Sequence, residues 1–282
     1  MLQIELANTE LVVSRLGFGT ASLHHLYRVS DRISMLEKAF DVGFTHFDTA
    51  PMYGEGQAER TIGNFLVDTG ARQKITLATK IGLPARPIMQ AIPLAMLADK
   101  AFNTALSRFG IGGRGKRVRN LSENSCEESL SRSLAALKTD YIDLLMVHEP
   151  QRAEISKIAE LAEWLNTQKS VGRVRYIGLA GRAVDCITLA KQLPGLFDIL
   201  QVEDSLDLDE AAAVSGAGWP LQITYGYLRH SLEESTHNSA RHPLDSVRAA
   251  LAKNNNGMVL VSTRKKSRVE ELAALVDEVD GR

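Results

Sequence analysis

Four residues between positions 48 and 148 have types and spacings that suit one another chemically: Asp48, Tyr53, Lys80 and His148. A phenol, with an ordinary pKa of about 10, is a poor proton donor near neutral pH. An ammonium group beside it favours the phenolate, and a carboxylate can hold that ammonium in place. An imidazole can hydrogen-bond a substrate oxygen and orient it. Together they suit protonation of the alkoxide that develops when a carbonyl is reduced, or the reverse. None of the four is a hydride donor, so the chemistry calls for a cofactor.

The pattern around these residues explains how they would meet. Apolar runs at 16–18, 45–47, 75–78, 142–147, 174–179, 199–202, 221–224 and 258–261 alternate with longer amphipathic stretches. Continuous apolar runs are the mark of strands buried on both faces of a parallel sheet. Eight strand–helix repeats predict an α/β fold, a (β/α)8 barrel, in which reactive groups gather where the strands end. Asp48 ends the second run, with Tyr53 in the loop after it; Lys80 ends the third and His148 the fourth. Before the first run, the alternating segments 2–6 and 11–14, separated by Ala7-Asn8-Thr9-Glu10, predict a β-hairpin. Helix starts are expected after Ser30-Asp31, after Ser122, and at the capping-box pair Ser267 and Glu270. Gly17, Gly19 and their neighbours lack the third glycine of a dinucleotide-binding turn.

The 282 residues suit one such barrel spanning 1–282, since the fold needs about 250 residues. One connection is long: 81–121, with Pro84, Pro87, Pro93 and a basic glycine-rich piece at 110–117. It reads as an insertion and a candidate lid. A net charge of -1 argues against a nucleic-acid surface or an anionic membrane as the main partner. No leader-like segment and no apolar run of about 20 residues is visible. Cys126 and Cys186 stand far apart with no CxxC pattern, which suits reduced thiols in a cytoplasmic protein. His24, His25, His230, His237 and His242 lack metal-ligand spacing, so metal-assisted hydrolysis is a weak reading.

The segment GFTHFDTAPMYG at 43–54 resembles the signature of the aldo-keto reductases. LGFGT at 16–20, Ala78-Thr79-Lys80, and TDYIDL at 139–144 leading to His148 are similar to the same family. The resemblance implies a barrel whose base is closed by the N-terminal hairpin. It implies Tyr53 as general acid/base, supported by Lys80, Asp48 and His148, acting on a small carbonyl compound (aldehyde, ketone or sugar) or the matching alcohol. It also implies an extended nicotinamide cofactor, NADP(H) ahead of NAD(H). Gly19, Thr20 and Asp48 would approach the nicotinamide ribose, Gln201 the carboxamide, and Tyr225 the ring face. Thr263, Arg264 and Arg268 would hold the adenine-ribose end, with Glu271 nearer the adenine.

The chain departs from the family where Ala180-Gly181 stand for a Ser-Asn pair that assists the carboxamide, and where Leu272 follows Glu271. It also stops soon after the last helix, so 81–121 is expected to cover the substrate in place of a C-terminal loop. Restoring Ser and Asn at 180 and 181 is expected to tighten cofactor binding. A second reading stays open, a catalytically weak or inactive nucleotide-binding barrel acting as a sensor or partner subunit.

Overall fold

The computed structural model of the protein describes residues 1–85, 118–228 and 242–279. Most of the expected insertion and its glycine-rich piece, along with His230 and His237, lie outside the described residues.

The chain opens with the antiparallel hairpin β1 (Gln3–Glu5) and β2 (Val12–Ser14). Eight parallel strands follow: β3 (Leu16–Gly19), β4 (His46–Asp48), β5 (Thr76–Ile81), β6 (Ile142–His148), β7 (Val174–Arg182), β8 (Ile199–Glu203), β9 (Ile223–Tyr225) and β10 (Met258–Val261). They close into a barrel in chain order, with β10 pairing back onto β3. The described helices between and after them are α1 (Val29–Asp41), α2 (Gln57–Thr69), α3 (Glu123–Leu137), α4 (Ile155–Glu160), α5 (Ala162–Ser170), α6 (Ala183–Gln192), α7 (Ala212–Gly216), α8 (Pro243–Lys253) and α9 (Lys266–Val279). Among the described residues no helix is long and apolar enough to cross a membrane.

The period-2 alternation of a strand divides the apolar residues into two cores. Leu77, Leu145 and Val147 face the helices, whereas Ala78, Leu144 and Met146 face the barrel interior. Both sets are buried, which is why these strands read as unbroken apolar runs. The inner core is completed from below by Leu6, Leu11 and Val13 of the hairpin, all at most 1% exposed. The hairpin therefore plugs the base. It is tied there by the Gln222 side-chain amide, which donates to Ala7 O at 2.6 Å, and by Glu10 N, which donates to the Tyr176 hydroxyl at 2.9 Å.

Arg15, between the hairpin and β3, is 2% exposed. Its guanidinium donates to Leu251 O (2.7 Å), Asn254 O (2.6 Å) and Gly257 O. These carbonyls lie at the C-terminal end of α8 and just beyond, where a helix presents unpaired acceptors and partial negative charge. One cation thus fastens β3 to the approach of β10.

Two helix starts differ from expectation. α1 begins at Val29, ahead of Ser30-Asp31, where the Arg32 guanidinium gathers Leu26 O (2.6 Å) and Tyr27 O (3.2 Å). Ser267 lies inside α9 rather than capping it; the turn is set earlier, by Thr263 Oγ1 accepting from Lys265 N at 3.2 Å. Ser122 does occupy the position before α3, without a side-chain cap bond.

Candidate active site

The C-terminal ends of neighbouring strands bring the four chemical residues together. Asp48 is the last residue of β4, Lys80 the penultimate residue of β5, and His148 the last of β6. Tyr53 lies in the short loop between β4 and α2. Lys80 Nζ donates to both carboxylate oxygens of Asp48 at 2.7 Å and to Thr49 O at 2.8 Å. Its next neighbour is the Tyr53 hydroxyl at 3.4 Å. The rings of Tyr53 and His148 meet edge to face with centroids 6.0 Å apart.

Lys80 and Asp48 are almost fully buried, at 2% and 1% exposure. Desolvation pulls the Lys80 pKa below its ordinary value, and the attraction of Asp48 opposes that. A lone buried ammonium would be very unfavourable; a bidentate carboxylate and a carbonyl make it tolerable. Strand β5 is in turn held to α2 by Thr79 Oγ1, which donates to the buried Glu59 carboxylate at 2.7 Å. Burial raises the pKa of Glu59.

A cavity of about 340 Å³ opens above these groups. Gly19, Asp48, Tyr53, Lys80, His148, Gln201 and Tyr225 all line it. Seven residues singled out from sequence thus share one space. Gln201, on β8, is 3% exposed and its Oε1 has no hydrogen-bond partner, although buried polar atoms are almost always satisfied. That orphaned acceptor fits the amide N–H of a nicotinamide carboxamide. Gly19 fits the same purpose, because a side chain there would meet Val261 O at 3.3 Å and narrow the space where β3 meets β10. Tyr225 ends β9 at the rim, and burial raises its pKa.

The other expected cofactor residues do not line the cavity. Thr20 is fully buried, and both its backbone N and its Oγ1 donate to Asp48 O at 2.9 Å. Its visible role is to clip the loop after β3 onto β4. Thr263, Arg264, Arg268 and Glu271 follow directly from the β10 end, where Val261 and Ser262 still line the cavity. Arg268 donates through Nε to Glu271 at 2.9 Å, while its buried Nη1 has no partner. A half-satisfied guanidinium next to a basic turn fits an anionic group such as a phosphate.

The lining residues that the sequence did not mark as site residues include Met52, Glu149 and Tyr227. Tyr227 donates to Asp204 Oδ2 at 2.6 Å, and Asp204 also binds Lys253 of α8, which locks that wall. Glu149 follows His148 directly, and that adjacency was the available signal. Gly181, where the family pair is absent, lies against the same loop: a Cβ on it would be 3.1 Å from Glu149 Cα and from Pro150 Cδ.

Comparison with known proteins agrees with this architecture. The D-threo-aldose 1-dehydrogenase of a Pseudomonas species is 29% identical over 209 residues, covering 73% of this chain and 61% of that protein. The NADH-specific methylglyoxal reductase of Escherichia coli K12 is 31% identical over 218 residues, covering 75% and 61%. The chain therefore spans less than two thirds of the length of these curated relatives. A solved aldo-keto reductase from Bacillus halodurans superposes with a TM-score of 0.70 at 21% identity, covering 98% of this chain and 91% of that one. The aldo/keto reductase family model matches residues 15–210. That stretch runs from the Arg15 clasp past β8 and contains Asp48, Tyr53, Lys80 and His148, and on it the chain belongs to the aldo/keto reductase family.

Proposed function

We propose that the protein is an oxidoreductase that interconverts a small carbonyl compound and its alcohol, with Tyr53 as general acid and base and NADP(H) as cofactor. The observation that carries this reading is the buried Lys80 ammonium, held by Asp48 and Thr49 with the Tyr53 hydroxyl 3.4 Å away at the floor of the cavity. In reduction, the substrate oxygen accepts a hydrogen bond from Tyr53, and His148 beside it fixes the direction of that oxygen. As negative charge grows on the oxygen, Tyr53 gives up its proton, and the Lys80 cation stabilises the phenolate left behind. Asp48 keeps Lys80 charged in a buried setting. Met52, Val259 and Val261 give the cavity apolar walls that keep water from competing for these groups.

When bound, the cofactor donates the hydride, or receives it in the oxidative direction. Gln201 Oε1 would accept from the carboxamide, Tyr225 would cover one ring face, and Gly19 and Asp48 would border the ribose. Thr263, Arg264 and Arg268 would hold the 2′-phosphate, with Glu271 at the adenine. The unpartnered Arg268 Nη1 supports NADP(H) over NAD(H), and this end of the chain lies beyond the family match. The two buried free thiols, Cys126 and Cys186, suit a reducing compartment such as the cytoplasm.

One observation favours a second reading, a poorly active or inactive nucleotide-binding subunit: Ala180 and Gly181 offer no side-chain hydrogen bonds at the cavity. A screen of aldehydes and sugars with NADPH and NADH, read at the nicotinamide absorbance band, decides between the two. Turnover with NADPH supports the enzyme. Tight NADPH binding with no turnover of any compound would favour the second reading.

A further inference from the structure

Glu149 has an unusual backbone for its type. Its φ is +46°, in the left-handed region that glycine enters freely and most side chains enter at a cost. The conformation is held from both sides. Glu149 N donates to Ala180 O at 2.6 Å, the following Pro150 is buried, and the absent side chain of Gly181 leaves room for the Glu149 backbone. A rim residue needed only for the turn would be cheaper as glycine or asparagine. Strain kept beside a reactive histidine is a reason to ask what the side chain does.

The Glu149 side chain is exposed to the cavity it shares with His148, Lys80 and Tyr225. Its charge is near enough to bear on both the Lys80 ammonium and the Tyr225 hydroxyl. Among the described residues its carboxylate has no ion-pair or hydrogen-bond partner. The neighbouring cations are already matched: Lys80 sits on Asp48, and Arg119, which donates to His148 O, pairs with Glu154 at 3.0 Å. The described lining thus leaves one uncompensated negative charge beside the place where a carbonyl would meet Tyr53 and His148.

We infer that Glu149 is a specificity-determining residue that selects carbonyl substrates by charge, favouring those that present a cation or hydroxyl hydrogens near the carbonyl and disfavouring those that carry a carboxylate or phosphate. A hydroxyl or ammonium donor meets a ready carboxylate acceptor, in a charge-assisted bond stronger than a neutral one. An anionic group there meets a like charge at an exposed rim position, where repulsion operates at low salt and is screened as salt rises. The inference rests on the oxidoreductase reading above.

The test uses three matched probes: benzaldehyde, 4-carboxybenzaldehyde and 4-(trimethylammonio)benzaldehyde. Their kcat/KM values are compared in the wild-type protein and in Glu149→Gln, at saturating cofactor and at low and high salt. NADPH affinity of both proteins, followed by fluorescence, reports on the fold and the cofactor site separately. The wild type should prefer the cationic over the anionic aldehyde by about tenfold or more at low salt, and less at high salt. In Glu149→Gln that ratio should fall by about tenfold, leaving the preference that the two substituents' own electronic effects set. An unchanged ratio in the variant, with NADPH bound as before, would overturn the inference while leaving the oxidoreductase reading intact. Turnover of none of the three probes by the wild type would remove that reading, and the inference with it.

Discussion

Acid should destabilise this barrel through His46 in particular. His46 lies on β4, fully buried, with Nδ1 2.8 Å from Thr76 Oγ1 and with no partner for Nε2. It precedes Asp48 by two positions and so shares its inward face. Burial first, and the Lys80 charge second, lower its pKa from 6.5 to about 3. The folded state therefore binds the proton less readily than the unfolded chain. The contribution is fully present above pH 6.5 and is lost progressively as pH falls toward 3. Each tenfold difference in proton affinity between the two states is worth about 1.4 kcal/mol, so acidification from neutrality to pH 5 should remove about 2 kcal/mol through this residue alone. That is a large part of an ordinary domain stability of about 5–15 kcal/mol. Other groups titrate in the same range, so the informative quantity is a difference. His46→Gln can keep a hydrogen bond to Thr76 and cannot gain a charge. Urea unfolding of both proteins at pH 7 and pH 5 should show the wild type losing about 2 kcal/mol more than the variant. Equal losses would refute the assignment of a buried neutral imidazole.

Tyr53→Phe should keep the ring packing against His148 and lower kcat by about 10²–10⁴, with cofactor affinity nearly unchanged; a variant that retains most of its turnover would exclude Tyr53 as the proton donor. Arg268→Ala should weaken NADPH binding more than NADH binding in parallel fluorescence titrations, and equal losses would remove the 2′-phosphate assignment. The structure revises the expected joint gain from restoring Ser and Asn at 180 and 181. Ala180→Ser enlarges a cavity-lining side chain by one hydroxyl, and a single new hydrogen bond of about 0.5–1.5 kcal/mol should tighten NADPH binding roughly two- to tenfold. Gly181→Asn presses on Glu149 and Pro150 and should destabilise the protein by about 1–3 kcal/mol, read as a lower urea midpoint. A stable Gly181→Asn protein with tighter binding would show that the Glu149 loop yields.

The eight barrel strands were legible because both of their faces are buried, so that apolar residues run without a break from Ile142 to Val147. The positions of Asp48, Lys80 and His148 followed from one rule of the fold, that strand ends share a rim. Long-range contacts were what the chain concealed. Nothing local marks Arg15 as a buried cation, since its three acceptors lie more than 230 residues away. The start of α9 escaped because the Thr263 hydroxyl captures the turn before Ser267 can. Glu149 escaped because a charged residue after a strand ordinarily faces water, and only the closed barrel turns that position toward a shared cavity. The Thr20 hydroxyl donates to Asp48 O, a contact across 28 positions that no local pattern marks.

The pairing of β10 with β3 also sets a schedule for synthesis. Until Met258–Val261 has been made, β3 has one open edge, with Leu16 and Phe18 in a strand whose unpaired backbone groups invite foreign strands. Arg15 waits for Gly257 across 242 positions of sequence. At about 5–20 residues per second, the nascent chain carries this raw edge for roughly ten to fifty seconds. Ribosome-bound chains arrested before β10 should therefore aggregate or recruit a chaperone, whereas chains extended beyond α9 should do neither. The clasp that makes the finished barrel seamless leaves it exposed for most of its making.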